Sequence, residues 1–129
     1  MNEEKPILLI VDDAAEYLRS LEMVLRGHFA ARTAGTVEAA HASVRDVCPD
    51  AALVDVCLDE TVEQDRSGLD LVVWLKTTCP RLRVVVMSAL EDSGLPQRAL
   101  DCGADAFVRK PVGLHELKAV LHRALGLRS

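Results

Sequence analysis

Five polar positions in this chain stand at the ends of short aliphatic runs, and their side chains are suited to charge chemistry at oxygen. Ile7 to Asp13 (ILLIVDD) ends on two carboxylates, and Ala51 to Val56 (AALVDV) carries Asp55 near its end. Arg83 to Ala89 (RVVVMSA) closes on the Ser88 hydroxyl, and Ala106 to Pro111 (AFVRKP) closes on the Lys110 ammonium. Adjacent carboxylates such as Asp12 and Asp13 repel unless a positive charge compensates them. A divalent cation would do so; magnesium, or manganese in its place, suits carboxylate oxygens that share the ion with water and phosphate. The same pair also reads as a helix N-terminal cap that needs no metal. A carboxylate such as Asp55 can act as a nucleophile and carry an acyl phosphate. Phosphoryl transfer then asks mainly for neutralised charge and positioned oxygens. Lys110 suits a point contact to phosphate, and Ser88 can donate a hydrogen bond to a phosphoryl oxygen. Taken alone, each is equally an ordinary lysine or serine. Ala89 leaves the approach to Asp55 open, and Pro111 makes a cis peptide after Lys110 accessible.

The runs that carry these residues are short, rich in Val, Ile and Leu, and unalternated, the pattern of strands buried on both faces of a parallel sheet. Parallel strands align their carboxyl ends, so Asp12, Asp13, Asp55, Ser88 and Lys110 are expected along one sheet edge, where open α/β folds place ligands. Helical periodicity fills the intervals. Leu18, Leu21 and Leu25 share a face of a segment from Ala14 to Gly27, and Gly27 is a plausible stop. A weaker strand at Phe29 to Thr33 precedes a helix from Thr36 to Val47, capped by Thr36 and closed by Pro49. Further helices are expected at Gly68 to Thr78, at Glu91 to Cys102 despite Gly94 and Pro96, and at Gly113 to Leu125. Five βα units in sequence predict a parallel sheet with helices on both faces. The long irregular segment from Cys57 to Ser67 follows Asp55 directly and contains Asp59, Glu60, Glu63 and Asp65.

With 129 residues, half of them apolar and only 3% aromatic, the chain fits one domain with an aliphatic core and leaves no room for a second, output domain. No stretch approaches the roughly 20 apolar residues of a membrane span, and the start is acidic and polar, so no membrane insertion and a cytoplasmic location are expected. The net charge is -5, with the acids concentrated before Pro80 and no basic stripe, which argues against direct nucleic-acid binding. Cys48, Cys57, Cys79 and Cys102 lack Cys-x-x-Cys spacing and read as buried or incidental thiols. Cys57 is the exception to watch, since it lies two residues past Asp55.

Taken together these residues resemble the receiver domains of bacterial two-component response regulators, near in size and layout to the single-domain chemotaxis regulators. The resemblance spans Ile7 to Leu125, so the whole of 1–129 is expected to be one receiver domain with its core at 7–125. It is carried by VDD at Val11 to Asp13, LVDV at Leu53 to Val56, Ser88 with Ala89, GADAF at Gly103 to Phe107, and Lys110 with Pro111. It implies a five-stranded, flavodoxin-like (βα)5 sheet in the order 2-1-3-4-5. It further implies that Asp55 accepts a phosphoryl group from a histidine kinase or a histidine phosphotransfer protein. Asp12, Asp13, Asp55 and the backbone carbonyl of Cys57 would hold magnesium, Ser88 and Lys110 the phosphoryl group, and Phe107 would be the aromatic switch. The implied output is a changed surface offered to a downstream target protein or an output domain, so the chain is expected to be a phosphoacceptor that assists its own chemistry rather than an enzyme with a free substrate.

The sequence departs from the family pattern after Asp55. Receivers commonly have Met-Pro soon after the acceptor and a glycine about eight residues past it; here Leu58 and Asp59 follow, and Gly68 stands thirteen residues on. The longer, acidic loop could lid the site, repel an acidic partner, reshape kinase docking or be simply solvated. Cys57 and Leu90 are less polar than many family members have near the phosphate, so slow autodephosphorylation is expected. Two other functions stay open: a binding module that keeps the fold without phosphorylation, and a phosphohydrolase of the haloacid dehalogenase type, although Cys57 stands where that family looks for a second acid.

Overall fold

The computed structural model describes residues 5–59, 61–62 and 65–126. Five strands, β1 (Ile7–Val11), β2 (Ala30–Ala34), β3 (Ala51–Asp55), β4 (Arg83–Ser88) and β5 (Ala106–Arg109), form one sheet. Its order is β2-β1-β3-β4-β5, and every pairing is parallel. The helices α1 (Ala15–Leu25), α2 (Val37–Asp46), α3 (Ser67–Thr78), α4 (Leu95–Asp101) and α5 (Leu114–Ala124) alternate with the strands. The βα alternation is the one the sequence pattern predicts, and the strand order is the flavodoxin-like one that the receiver resemblance implies.

Side chains alternate across the sheet, as the strand period of two requires. Leu8, Ile10, Leu53, Val85 and Met87 pack with Leu18, Leu21 and Leu25 of α1 and with Leu117 and Leu121 of α5. Leu9, Val11, Val54, Val84 and Val86 pack on the other face with Val44 of α2, Leu71, Val72 and Leu75 of α3, and Leu95 and Ala99 of α4. Complete burial of a leucine such as Leu21 contributes roughly 1.5 to 3 kcal/mol. This double layer explains why the central strands show no polar alternation.

Three details correct the sequence reading. β2 begins one residue later than expected, because Phe29 leaves the sheet for the α1/α5 core, where it is 1% exposed. The expected helix at Glu91 to Cys102 shortens to α4, with Pro96 in its first turn, where a missing N–H breaks no helical bond. Cys48 and Cys79 are a disulfide, their Cα atoms 6.0 Å apart, and not incidental thiols. The pair joins the end of α2 to the end of α3 across a separation of 31 residues, which no local spacing rule detects.

The turn from α4 into β5 gives GADAF a physical basis. Gly103 has φ +112°, a conformation that a side chain disfavours. Asp105 accepts hydrogen bonds from the Val84 amide (2.8 Å) and from Lys76 Nζ (3.1 Å), tying β5 to β4 and α3. That register brings the strand ends into line: Val11 is paired with Val54, Asp55 with Met87, and Ser88 with Arg109.

Candidate functional site

Asp12 follows β1, Asp55 ends β3, Ser88 ends β4 and Lys110 follows β5, so the carboxyl edge gathers them without any long-range loop. Carboxylate oxygens of Asp12, Asp13 and Asp55 lie within 4.8 Å of one another. Asp12 is 1% exposed and partnered on both oxygens, each keeping acceptor capacity: Oδ1 accepts from the Ala14 amide (3.0 Å) and Oδ2 from Lys110 Nζ (2.7 Å). The cap reading of the acidic pair does not hold: the residue that caps α1 is Ala14, with no side-chain cap bond, and Asp12 instead closes a turn onto the Ala14 amide just before the helix. Asp13 Oδ1 is buried without a hydrogen-bond partner. An unpartnered carboxylate oxygen beside two further carboxylates is costly unless a cation completes it. The three carboxylates can hold a divalent cation, and the orphaned Asp13 oxygen fits one.

Lys110 bridges the site. Its Nζ lies 3.5 Å from Asp55 Oδ1 as well as 2.7 Å from Asp12, and 4.6 Å from the centre of the Tyr17 ring. Burial opposes its charge, but the Asp12 hydrogen bond and both carboxylates outweigh that and raise its pKa above the ordinary lysine value. Asp55 is less well compensated. Burial first, then Asp12 and Asp13, push its pKa up to about 7 against the lowering effect of Lys110. Tyr17 was invisible to the sequence reading, since an aromatic one turn into α1 looks like any helix surface residue.

Ser88 is 1% exposed; its Oγ accepts from the Leu90 amide (3.0 Å), which leaves its proton free to donate. The Lys110 amide donates to the Ser88 carbonyl (2.8 Å), coupling the two strand ends. Ala89 is exposed at the cleft, and the Lys110–Pro111 peptide is cis. Phe107 is half-buried, packs on the same side of the sheet as Val86, and lines a pocket with Val120 and Ala124. Two clefts flank the acids: one of about 290 Å³ lined by Asp12, Tyr17, Ala89 and Lys110, and one of about 630 Å³ lined by Asp13, Thr36, Leu58 and Asp65. A groove of about 510 Å³ beside the disulfide lies at the opposite end of the sheet and gathers no such polar set.

Gly68 fixes the register of the altered loop. A Cβ there would overlap the Asp55 carbonyl oxygen and come within 2.8 Å of the Val56 backbone. The Gly68 amide donates to the Val56 carbonyl (2.8 Å), so the start of α3 abuts the acceptor strand in spite of the longer spacing. Of the four loop acids, Glu60 and Glu63 lie outside the described residues. Asp59 accepts from Thr61, and Asp65 accepts from the amides of Leu58 (3.0 Å) and Asp59 (3.2 Å) and from the Ser67 hydroxyl (2.6 Å). These two carboxylates hold the loop itself together, a role the count of acids did not convey. The Cys57 thiol is pushed above its ordinary pKa by burial, and Asp65, Asp55 and Asp13 add to the effect, which disfavours the reactive thiolate.

The response regulator receiver domain profile matches residues 8–122. The chain belongs to this family. Among relatives, the transcriptional regulatory protein KdpE of Mycobacterium tuberculosis is 35% identical over 123 residues, covering 92% of this chain and 50% of KdpE. The response regulator protein PilR of Pseudomonas aeruginosa is 34% identical over 123 residues, covering 94% of this chain and 26% of PilR. The receiver domain of NtrX from Brucella abortus superposes with a TM-score of 0.82 at 29% identity, covering 94% of this chain and 99% of that one. The receiver thus spans half the length of KdpE and about a quarter of PilR. Among the described residues, no helix of this receiver is long and apolar enough to cross a membrane.

Proposed function

We propose that Asp55 is the phosphoacceptor of this receiver, taking a phosphoryl group from the phosphohistidine of a sensor kinase or phosphotransfer protein. The observation that carries the reading is the convergence of Asp12, Asp13 and Asp55 with the single ammonium of Lys110 at the carboxyl edge of a receiver-family sheet. An Asp55 carboxylate oxygen attacks phosphorus, the P–N bond of the phosphohistidine breaks, and the imidazole leaves. Asp12, Asp13, Asp55 and the Cys57 carbonyl would hold magnesium, or manganese, and the ion when bound would supply charge that neutralises the incoming phosphoryl group. Lys110 already bridges Asp12 and Asp55, and its long stem lets it follow the new charge. Ser88 has a free proton to donate to a phosphoryl oxygen, and exposed Ala89 leaves the approach clear.

Drawing Ser88 toward the phosphate would empty space beside Phe107, which then turns inward and alters the surface around β5 and its flanking helices. This is a two-state element biased by a covalent ligand. Residues 1–129 act as one receiver with its core at 7–125, passing its signal to a target protein or an output domain and not to nucleic acid directly. The receiver is a substrate that assists its own phosphorylation and dephosphorylation. Incubation with magnesium and acetyl phosphate should add one phosphoryl group to the intact mass, and Asp55→Asn or a chelator should abolish the addition. Mass unchanged in every arm would favour the phosphorylation-independent binding module; steady release of phosphate from small phosphoesters would favour the hydrolase.

A further inference from the structure

We propose that Asp65, in the extended loop after β3, is a positioning residue for the cation site: it fixes the peptide plane whose carbonyl, that of Cys57, completes the ligand set. The inference rests on the phosphoacceptor reading above. Its starting point is one hydrogen bond, from the Leu58 amide to Asp65 Oδ2 at 3.0 Å. That N–H belongs to the same peptide unit as the Cys57 carbonyl. In a trans peptide the two groups point in opposite directions, and the Cys57–Leu58 bond is not the cis one. Holding the N–H against Asp65 therefore turns the Cys57 oxygen away from Asp65. Among the described residues no donor reaches that oxygen, which leaves it available as a ligand.

The Asp59 amide converges on the same carboxylate oxygen at 3.2 Å, so two successive peptide planes share one anchor. The same oxygen is also held by the Ser67 hydroxyl (2.6 Å) at the start of α3. Ser67 is followed by Gly68, whose backbone is packed on Asp55 and Val56. The chain thus closes a ring from the acceptor strand through Cys57 and Leu58 to Asp65 and back by way of Ser67 and Gly68. A loop five residues longer than the family spacing would otherwise let the Cys57 carbonyl rotate, and loss of outer-shell partners of metal ligands typically weakens metal binding about 10- to 100-fold.

The test measures magnesium affinity of the full unphosphorylated chain by calorimetry, beside hydrogen exchange of the Leu58 and Asp59 amides without metal. Asp65→Ala should weaken magnesium binding about tenfold or more and speed exchange at both amides. Asp65→Asn keeps an acceptor oxygen and should restore both readouts to within about twofold, which a role for the negative charge alone would not allow. Normal affinity in Asp65→Ala, with or without faster exchange, would overturn the inference and leave Asp65 a loop staple. Failure of the Asn variant to recover affinity would overturn it in favour of a charge effect. Absence of magnesium binding in the unaltered chain would instead overturn the phosphoacceptor reading, and this inference with it.

Discussion

Replacing Asp55 by Asn should make the metal-free protein more stable at neutral to alkaline pH. Asp55 is 7% exposed, and its nearest cation, Lys110, sits closer to Asp12 (2.7 Å) than to Asp55 (3.5 Å). Burial and the neighbouring acids accordingly raise its pKa from 3.8 to about 7. Between those values the unfolded chain has released this proton while the folded chain still holds it. The unfolded state then binds fewer protons, so stability falls as pH rises through the interval and the full loss is present above pH 7. At about 1.4 kcal/mol per pH unit the loss is about 4 kcal/mol. An asparagine carries no such charge. Urea unfolding with chelator present should therefore show Asp55→Asn more stable by about 2 to 4 kcal/mol near pH 8, with the gain shrinking toward zero near pH 4. Magnesium at about a hundred times its dissociation constant should return about 2.7 kcal/mol to the unaltered protein and less to the variant. No gain in the variant near pH 8, or an equal gain near pH 4, would refute the claim that Asp55 is held under-compensated.

Reduction of the Cys48–Cys79 disulfide should lower unfolding stability by roughly 3 to 4 kcal/mol, given its separation of 31 residues, with Cys48→Ser reproducing the reduced value by urea titration. Acetyl phosphate labelling should survive that reduction, because the bond lies at the opposite end of the sheet. Gly68→Ala should cost about 3 kcal/mol by the same titration and slow labelling, since its Cβ meets the Asp55 and Val56 backbone and not a flexible side chain. Cys57→Asn and Leu90→Glu, tested singly, should leave the phosphoryl half-life unchanged or shorter; a longer half-life in either contradicts the expectation of slow autodephosphorylation.

The gathering of Asp12, Asp13, Asp55, Ser88 and Lys110 at one edge was legible because each ends a strand or follows one within two residues, and parallel strands align their ends whatever the loops do. Thr36 was legible as a cap for the same kind of local reason, and its Oγ1 accepts from the Ala39 amide at 3.0 Å. Contacts between distant segments were not legible. Cys48 meets Cys79 only because α2 and α3 pack side by side on one sheet face, and Tyr17 lies under Lys110 only because the long Lys110 side chain reaches from the end of β5 to the first turn of α1. Asp65 counted as one more acid in a charged loop until its hydrogen bonds to Leu58, Asp59 and Ser67 were known. Pro96 misled in the opposite direction, reading as an interruption where it opens the helix.

The central claim is that Asp55, among all the acids at this edge, forms the acyl phosphate. Treatment with acetyl phosphate and magnesium, reduction with borohydride and peptide mass mapping test it directly, because borohydride reduces an aspartyl phosphate to homoserine. Homoserine is expected at position 55 only, and is absent when magnesium is chelated. Homoserine at position 12 or 13 instead, or none at any position in a protein that binds magnesium, would contradict it.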